Sequence, residues 1–328
     1  MAQKNDFCPE MLSALKNANS ILLCTHVSPD GDAIGATLAM GLALEAMGKR
    51  VTLADDDPVP QQYLILPWAN AFARPAELEG KEFDAALAID SADEGRLGAC
   101  RKAFFAAPVT MQMDHHPGNP HYAQFNEVDD AASAAGCVVF RCLKALGAQI
   151  NKEIAACLYC ALSTDTGNFR FRNTTPEAFA ITAELMETGF DLSYYARMFH
   201  LLREEKNVRL LGRALCSLQL FGGGKCAGMV LTKTDYRDAQ ALPEHNNAIV
   251  NYALDIPGVE MAFLAEERED GQVKASLRAL PPWNVAQIAR MYGGGGHTLA
   301  AGLKYDGTLE ELKKELEQQM LLLLGCAE

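Results

Sequence analysis

Short apolar runs alternate with longer segments of helical periodicity through the first half of the chain. Four apolar runs, each bounded by polar residues, predict buried strands at 21–24, 50–54, 84–91 and 109–114. Apolar residues at helical spacing predict helices at 9–17, 33–47, 133–146, 153–162 and 177–188. Strands that alternate with helices in this way are typical of a parallel sheet with helices on both faces. The pattern therefore predicts an α/β fold whose N-terminal domain is a doubly wound parallel sheet.

The second half of the chain has a different pattern. A polar segment with helical spacing at 203–220 predicts a helical connector, and the glycines at 222–224 mark its end. Beyond it, apolar runs at 227–232, 259–265 and 273–280 alternate with charged turns, which predicts a smaller α+β domain. We accordingly expect a first domain at 1–190, a helical connector at 191–222 and a second domain at 223–328.

Composition narrows the class of protein. The 328 residues are enough for two domains. No apolar run approaches the roughly 20 residues that a transmembrane helix needs, and the first six residues lack the apolar core of a signal peptide. The ten cysteines lie mainly in apolar runs, which indicates reduced thiols rather than a disulfide framework. We therefore expect a cytoplasmic protein with no membrane partner.

The net charge of −13 also restricts the partners. Tight binding to long nucleic acid requires basic patches, so a chain this acidic is not expected to bind it. Short anionic substrates remain compatible with the charge, because metal ions can bind them locally.

Candidate metal ligands follow the predicted strands, at the end of the sheet where open α/β folds bind ligands. The candidates are His26, Asp30, Asp32, Asp90, Asp114, His115, His116 and Asp165. Imidazole nitrogens and carboxylate oxygens together suit Mn²⁺, Mg²⁺ or Zn²⁺. Each acid alone is equally compatible with a turn or a helix cap. As a set, they could hold two metal ions about 3.5–4 Å apart, provided that one carboxylate bridges them.

A run of four glycines, Gly293 to Gly296, leads directly into His297. Such a run could be a flexible linker. However, a helical pattern precedes it and Ala300-Ala301-Gly302 follows it, and neither flank is typical of a linker. We favour an anion-binding loop, because glycines allow the backbone N–H groups to approach an anion closely.

In these motifs and their order the sequence resembles the DHH phosphoesterases. His26-x-x-x-Asp30-x-Asp32 is similar to the first motif of that family, and Asp90 to the second. Asp114-His115-His116 is similar to the third motif, which gives the family its name, and Asp165 to the fourth. The glycine run with His297 resembles the signature of the DHH-associated C-terminal domain of the first type.

In length and domain content the chain resembles one subgroup of this family, the oligoribonucleases (nano-RNases) and phosphatases of 3′-phosphoadenosine 5′-phosphate (pAp). One departure from that subgroup is Ala279, which follows Arg278 where a serine is more usual. The arginine itself is retained, so the departure bears on substrate preference more than on binding.

The resemblance implies a role for each motif residue. One metal ion would be bound by His26, Asp30 and Asp90. A second ion would be bound by Asp32, Asp90, His115 and Asp165, with Asp90 bridging the two. The family usually uses Mn²⁺, and a water between two such ions would be the nucleophile. The remaining catalytic roles fall to Asp114, which would fix a histidine tautomer, and to His116, which would stabilise charge or donate a proton.

The resemblance further implies that the second domain binds the substrate, through Arg278, Gly294, Gly295, Gly296 and His297. The expected activity is hydrolysis of phosphodiester or phosphomonoester bonds in short oligonucleotides, linear dinucleotides or pAp. The alternatives are an inorganic pyrophosphatase or exopolyphosphatase, and a non-catalytic nucleotide-binding sensor. An exonuclease of the RecJ type, acting on long strands, is disfavoured because it would need a more basic channel. The sequence leaves open whether the protein forms a homodimer.

Overall fold

The computed structural model describes residues 7–246 and 248–325. Contacts between residues divide the chain into two units, residues 1–202 and 203–328, so the division falls inside the segment predicted as a connector. The stretch on which the signal-peptide expectation rests, residues 1–6, lies outside the described residues. Within the described part of the chain, no helix is both long and apolar enough to cross a bilayer.

The first unit is built on a parallel sheet with the strand order β2-β1-β3-β4-β5. Its strands are β1 (Ser20–Cys24), β2 (Arg50–Ala54), β3 (Ala85–Ile89), β4 (Thr110–Asp114) and β5 (Phe125–Val128). Its α-helices are α1 (Pro9–Asn17), α2 (Gly31–Ala46), α3 (Arg101–Ala106), α4 (Ala135–Leu146), α5 (Lys152–Asp165), α6 (Pro176–Glu187) and α7 (Leu192–Ala196). A π-helical segment, Arg197–Leu201, follows α7. The predicted parallel α/β architecture is confirmed.

Both faces of this sheet are covered, and β1 shows how. Its apolar side chains alternate between two cores: Ile21 and Leu23 pack on the side of α2, α4 and α5, whereas Leu22 and Cys24 pack on the side of Phe104 in α3. Strands buried on both faces are expected to be apolar at almost every position. This explains why the strand appears in the sequence as an uninterrupted apolar run.

Helix α2 lies in the interior of the unit, and most of its residues are buried. Glycines allow it to pack closely against α5. A methyl group at Gly35 would overlap the carbonyl oxygen of Cys157, and one at Gly31 would overlap the side chain of Thr164. Because the backbones are in such close contact, the first turn of α2 lies beside the last turn of α5, which ends at Asp165.

The second unit contains a mixed sheet with the order β10-β11-β9-β8-β7-β6, in which β7 and β8 are parallel and the other neighbours antiparallel. Its strands are β6 (Gln219–Phe221), β7 (Cys226–Leu231), β8 (Met261–Glu267), β9 (Val273–Ala279), β10 (Gly295–His297) and β11 (Ala300–Tyr305). Its α-helices are α8 (Glu205–Cys216), α9 (Lys233–Asp238), α10 (Asn251–Leu254), α11 (Val285–Met291) and α12 (Leu309–Leu323). This arrangement confirms the predicted smaller α+β domain.

Two apolar clusters cover this sheet unequally. On one face, α11 and α12 pack over β8, β9 and β11. On the other face, α8, α9 and α10 pack over β7 and β8 only. The second face of β9 and β11 therefore lies outside both clusters.

The segment predicted as a connector helix is shorter than expected. Helix α8 ends at Cys216, because the Ser217 hydroxyl bonds both the N–H and the carbonyl oxygen of Val230 and so joins the chain to β7. Leu220 then pairs with Ala227 in the sheet. The glycines 222–224 form the turn between β6 and β7, within the second unit.

Candidate active site

The predicted metal ligands of the first unit converge at the carboxyl ends of three adjacent strands. His26 follows β1, Asp90 follows β3, and Asp114 ends β4 and leads into His115. Asp90 lies between the two histidines: its Oδ2 is 3.6 Å from His26 Nε2, and its Oδ1 is 3.6 Å from His115 Nε2. Ligands that are widely separated in the sequence are therefore neighbours in space.

Three groups of side chains bring their ligand atoms within 4.8 Å of one another. They are His26–Asp30–Asp90, Asp32–His115–Asp165 and Asp90–His115–His116. The first two match the ligand sets that the sequence resemblance implied, apart from the shared Asp90, which the third group connects to His115. All six residues that the resemblance implied as metal ligands belong to these groups, whereas Asp114, the remaining acid among the candidates, belongs to none of them.

The buried carboxylates form a cluster that could hold a cation. Asp90 is 2 % exposed, and among the residues described its Oδ1 has no hydrogen-bond partner. Burial, together with the charge of Asp30, raises the pKa of Asp90. Burial and the charges of Asp90 and Asp165 likewise raise the pKa of Asp32. Buried acids packed this closely must bind either protons or metal ions, and oxygen and imidazole ligands suit Mn²⁺, Mg²⁺ and Zn²⁺.

Helix ends hold two of the acids in place. Asp32 accepts hydrogen bonds from the backbone N–H groups of Ala135 (2.6 Å) and Gly136 (2.9 Å) in the first turn of α4, where the helix dipole favours a negative charge. Asp30 caps α2 by accepting from the N–H groups of Asp32 and Ala33. Asp30 is therefore a helix cap, and it also belongs to a group of side chains that could hold a metal ion.

Asp90 has a left-handed backbone conformation, with φ at 57°. A non-glycine residue in this region carries a conformational cost, and such residues cluster at functional sites. The N–H of Asp90 donates to the carbonyl of Met113 on the neighbouring strand, which holds the turn at the edge of the sheet.

His116 is paired with Asp114, through a hydrogen bond of 2.8 Å between Nδ1 and Oδ1. This bond raises the pKa of His116 although the ring is partly buried. Burial disfavours the ionised form of Asp114, but its hydrogen bonds from His116 and Asn119 outweigh burial and lower its pKa. The pair therefore favours an imidazolium beside a carboxylate, a state that can stabilise negative charge or donate a proton.

His115 is oriented differently. Its Nδ1 lies 3.3 Å from the carbonyl oxygen of Ala132, while its Nε2 faces Asp32, Asp90 and Asp165. A carbonyl on one ring nitrogen fixes the tautomer that leaves the other nitrogen free to bind a metal.

In the second unit, two of the predicted substrate-binding residues, Arg278 and His297, lie along one row of the sheet. His297 pairs with Ala300, and Ala300 pairs with Arg278 on β9. Directly opposite residues of antiparallel strands project to the same side, so His297 and Arg278 are two strands, or about 10 Å, apart on one face.

The glycine run is more regular than a loop. Gly295–His297 form β10, and a methyl group at Gly296 would overlap the carbonyl oxygen of Ala300. The N–H groups of Gly293 and Gly294 donate to the carbonyls of Arg290 and Ala289, which completes the end of α11. These two amides are therefore already engaged, and the glycines here permit the close approach of two strands.

Comparisons with known proteins identify the family. Residues 20–162 match the DHH family N-terminal domain, and residues 228–321 match the DHHA1 domain. The bifunctional oligoribonuclease and PAP phosphatase NrnA of Thermus thermophilus is 32% identical over 324 residues, covering 96% of this chain and 95% of that protein. The chain belongs to the DHH family. The resemblance inferred from the motifs is confirmed.

Two further relatives of this DHH protein have similar coverage. NrnA of Bacillus subtilis is 27% identical and covers 89% of this chain and 91% of its own length. The crystal structure of an exopolyphosphatase-related protein from Bacteroides fragilis is 25% identical, with a TM-score of 0.81 over 96% of both chains. Similarity to the NrnA-like members of the DHH family thus extends over both domains.

Two asparagines of the first unit contact predicted site residues and were not predicted from the sequence. Asn119 donates a hydrogen bond to Asp114, and Asn173 donates to Asp165 Oδ2 over 3.1 Å. Asn119 follows Gly118 in a turn, and turns are ordinary positions for asparagine, so the sequence carries no signal of either contact. Both bonds orient carboxylates of the site.

Two residues around His26 were also not among the predicted site residues. The Nη2 atom of Arg96 lies 2.6 Å from Nδ1 of His26, which brings a fixed positive charge to the centre. Asp55, directly after β2, is fully buried, and burial raises its pKa to about 7. It is a carboxylate after a strand end, like the motif acids, and this position was the available signal.

Proposed function

We propose that this protein is a metal-dependent phosphohydrolase that cleaves short oligonucleotides, linear dinucleotides or pAp. The observation that carries the proposal is the position of Asp90, whose two oxygens lie 3.6 Å from histidines of different ligand groups. The activities named for the NrnA proteins of Thermus thermophilus and Bacillus subtilis support the choice of substrate.

In this proposal one metal ion is held by His26, Asp30 and Asp90, and a second by Asp32, Asp90, His115 and Asp165. When bound, such ions lower the pKa of a water molecule and neutralise charge on a phosphoryl group. We favour Mn²⁺, because two imidazole ligands suit it better than Mg²⁺.

In this proposal His116 acts on the substrate, and Asp114 acts on His116. His116 faces the phosphate as an imidazolium, and Asp114 keeps it protonated through the 2.8 Å hydrogen bond. A protonated imidazole at this position stabilises charge on the phosphoryl oxygens or donates a proton to the leaving oxygen.

The DHHA1 domain selects the substrate in this proposal. Arg278 and His297, on one row of the sheet, bind a phosphate remote from the bond that is cleaved, with Gly294, Gly295 and Gly296 lining the approach. Arginine suits this role because it can form two parallel hydrogen bonds to a phosphate. We place the enzyme in the cytoplasm, in keeping with the free cysteines of the described residues.

A substrate panel tests the proposal. The purified protein, freed of metal and reloaded with Mn²⁺, Mg²⁺ or Zn²⁺, is given pAp, the linear dinucleotide pApA, a cyclic dinucleotide, a 5-mer, a 24-mer and pyrophosphate. We expect the fastest hydrolysis of pAp, pApA or the 5-mer, with Mn²⁺ as the best metal. Faster hydrolysis of pyrophosphate than of any nucleotide would identify a pyrophosphatase instead. Binding of nucleotides without hydrolysis under any metal would identify a sensor.

A further inference from the structure

Part of the sheet in the second unit has an uncovered polar face. Along β9 the side chains alternate between buried and half-exposed, and the half-exposed ones are Lys274, Ser276 and Arg278. On the neighbouring β8, the residues of this same face include Ala262 and Leu264, which the helices α8 to α10 bury. The covering helices thus stop at β8 and leave the polar row on β9 accessible.

The strand register places two positive charges opposite each other. Lys274 on β9 pairs directly with Lys304 on β11. Like charges at directly opposite positions repel one another, so an anion that contacts both lysines would be favoured here. In the part of the chain that the structure describes, neither lysine forms an ion pair within 4.0 Å.

The nearest candidate for compensation is occupied elsewhere. Glu266 on β8 is the register partner of Lys274 on its other side. Its carboxylate instead accepts from Arg268, with Nε at 3.0 Å and Nη2 at 2.7 Å, and from the hydroxyl of Tyr236. The hydrogen bonds of the Glu266 carboxylate thus go to other residues, and only its charge acts on Lys274.

A cavity of about 420 Å³ opens over this pair of lysines. Lys274, Ser276, Gly302 and Lys304 line it, together with the Glu266–Arg268 pair. Gly302 lies opposite Ser276, and a methyl group there would meet only the carbonyl oxygen of Ala275, at 3.5 Å. Between the lysines and Arg278 the face therefore carries only the small side chain of Ser276 and the bare backbone of Gly302, over which an extended ligand can lie.

We propose that Lys274 and Lys304, with the hydroxyl of Ser276, bind a second phosphate of an oligonucleotide, separate from the phosphate bound by Arg278. The inference rests on the proposed function, because it assigns this face to the same substrate. Alternate residues of a strand are about 7 Å apart, so Lys274 and Arg278 are separated by about 13–14 Å along β9. A strand of several nucleotides spans that distance, whereas pAp and a dinucleotide engage Arg278 alone.

The test compares short and longer substrates in Lys274→Gln, Lys304→Gln and the double variant. Lys314→Gln, an exposed lysine on α12, is the matched control. For the double variant we expect KM for a 5-mer to rise about 10-fold with kcat unchanged, while kinetics on pAp and pApA change less than twofold. The KM for the 5-mer should also depend less steeply on salt, because phosphate contacts have been lost. The proposal is overturned if the double variant changes KM equally for pAp and the 5-mer, or if it changes KM for neither.

Two further measurements separate this inference from its alternatives. Removing one lysine of the like-charged pair should leave the thermal midpoint unchanged or raise it, so a fall would show a structural role instead. Binding of a fluorescent 5-mer to metal-free protein, followed by anisotropy, tests the lysines without catalysis. Weaker binding by the double variant supports the second phosphate site even if the wild type hydrolyses no nucleotide, which would refute only the proposed function.

Discussion

The two sheets of this DHH protein present opposite charges to their surroundings, and they do so in different ways. In the first unit, short acidic side chains are buried at strand ends and fixed by helix termini, as Asp32 is by two backbone N–H groups. In the second, the long side chains of Lys274, Arg278 and Lys304 stand on an accessible sheet face. Chemistry at a metal centre tolerates little displacement, whereas recognition of a phosphate chain can be distributed over flexible contacts. The comparison predicts large, uniform effects in the first region and smaller, substrate-dependent effects in the second.

The largest effect is expected at Asp90. Asp90→Asn keeps the shape of the side chain but removes the charge next to both ligand groups, so the two metal ions that we propose should be lost together. Changes to residues that support a metal ligand typically lower activity by about 10–100-fold. We expect a larger loss here, because Asp90 is itself a proposed ligand. Metal content by mass spectrometry and hydrolysis of pAp measure both effects, with the exposed Asp130→Asn as control. Two full metal equivalents in the Asp90 variant would rule out a bridging role.

A moderate effect is expected at Asn173, which orients the carboxylate of Asp165 through a 3.1 Å hydrogen bond. Asn173→Ala should lower the affinity of one metal ion and the activity by about 10–100-fold, and high metal concentration should restore part of the activity. Titration of activity against Mn²⁺ measures the shift. An unchanged titration curve would mean that Asp165 needs no support from this side chain.

A selective effect is expected at Arg278. Arg278→Ala should flatten the preference for short nucleotides over a 24-mer, because contacts far from the reacting bond orient the substrate. Metal content and cleavage of a small activated phosphate ester should remain as in the wild type. Should the variant lose the small ester as well, the separation between the two regions would be wrong.

The last effect is on stability rather than on activity, and it concerns Asp55. Its pKa of about 7 in the folded protein lies above the roughly 3.9 of an unfolded aspartate, so between these values only the folded state holds the proton. Its contribution to stability therefore falls as the pH rises from about 4 to about 7. About three pKa units correspond to about 4 kcal/mol of stability. In metal-free protein, the thermal midpoint of Asp55→Asn relative to wild type should therefore rise across this window by roughly 10 °C. Asp130→Asn should show no such trend, and a pH-independent difference would contradict the assignment.

That the candidate metal ligands come together could be predicted from the sequence, because they are histidines and aspartates that follow apolar runs. The contacts that support them could not, since Asn119 and Asn173 look like ordinary turn residues. Strand β5 was missed because its residues are all half-buried and show no alternation. The glycine run was evident in the sequence, but its pairing with β11 was not. The charge pair of Lys274 and Lys304 became visible only through the strand register, which local patterns do not reveal.

The close packing of α2 on α5 has a consequence for how this enzyme can change over evolution. Asp30 and Asp32 lie at the start of one helix and Asp165 at the end of the other, and the glycines between the helices set their separation. A substitution at Gly35 would thus act as a change in ligand spacing, although it carries no functional atom. The residues that pack the two helices together and the candidate metal ligands therefore cannot change independently of one another. New activities in this scaffold are therefore more accessible through the second sheet, whose accessible face can vary without moving a metal ligand.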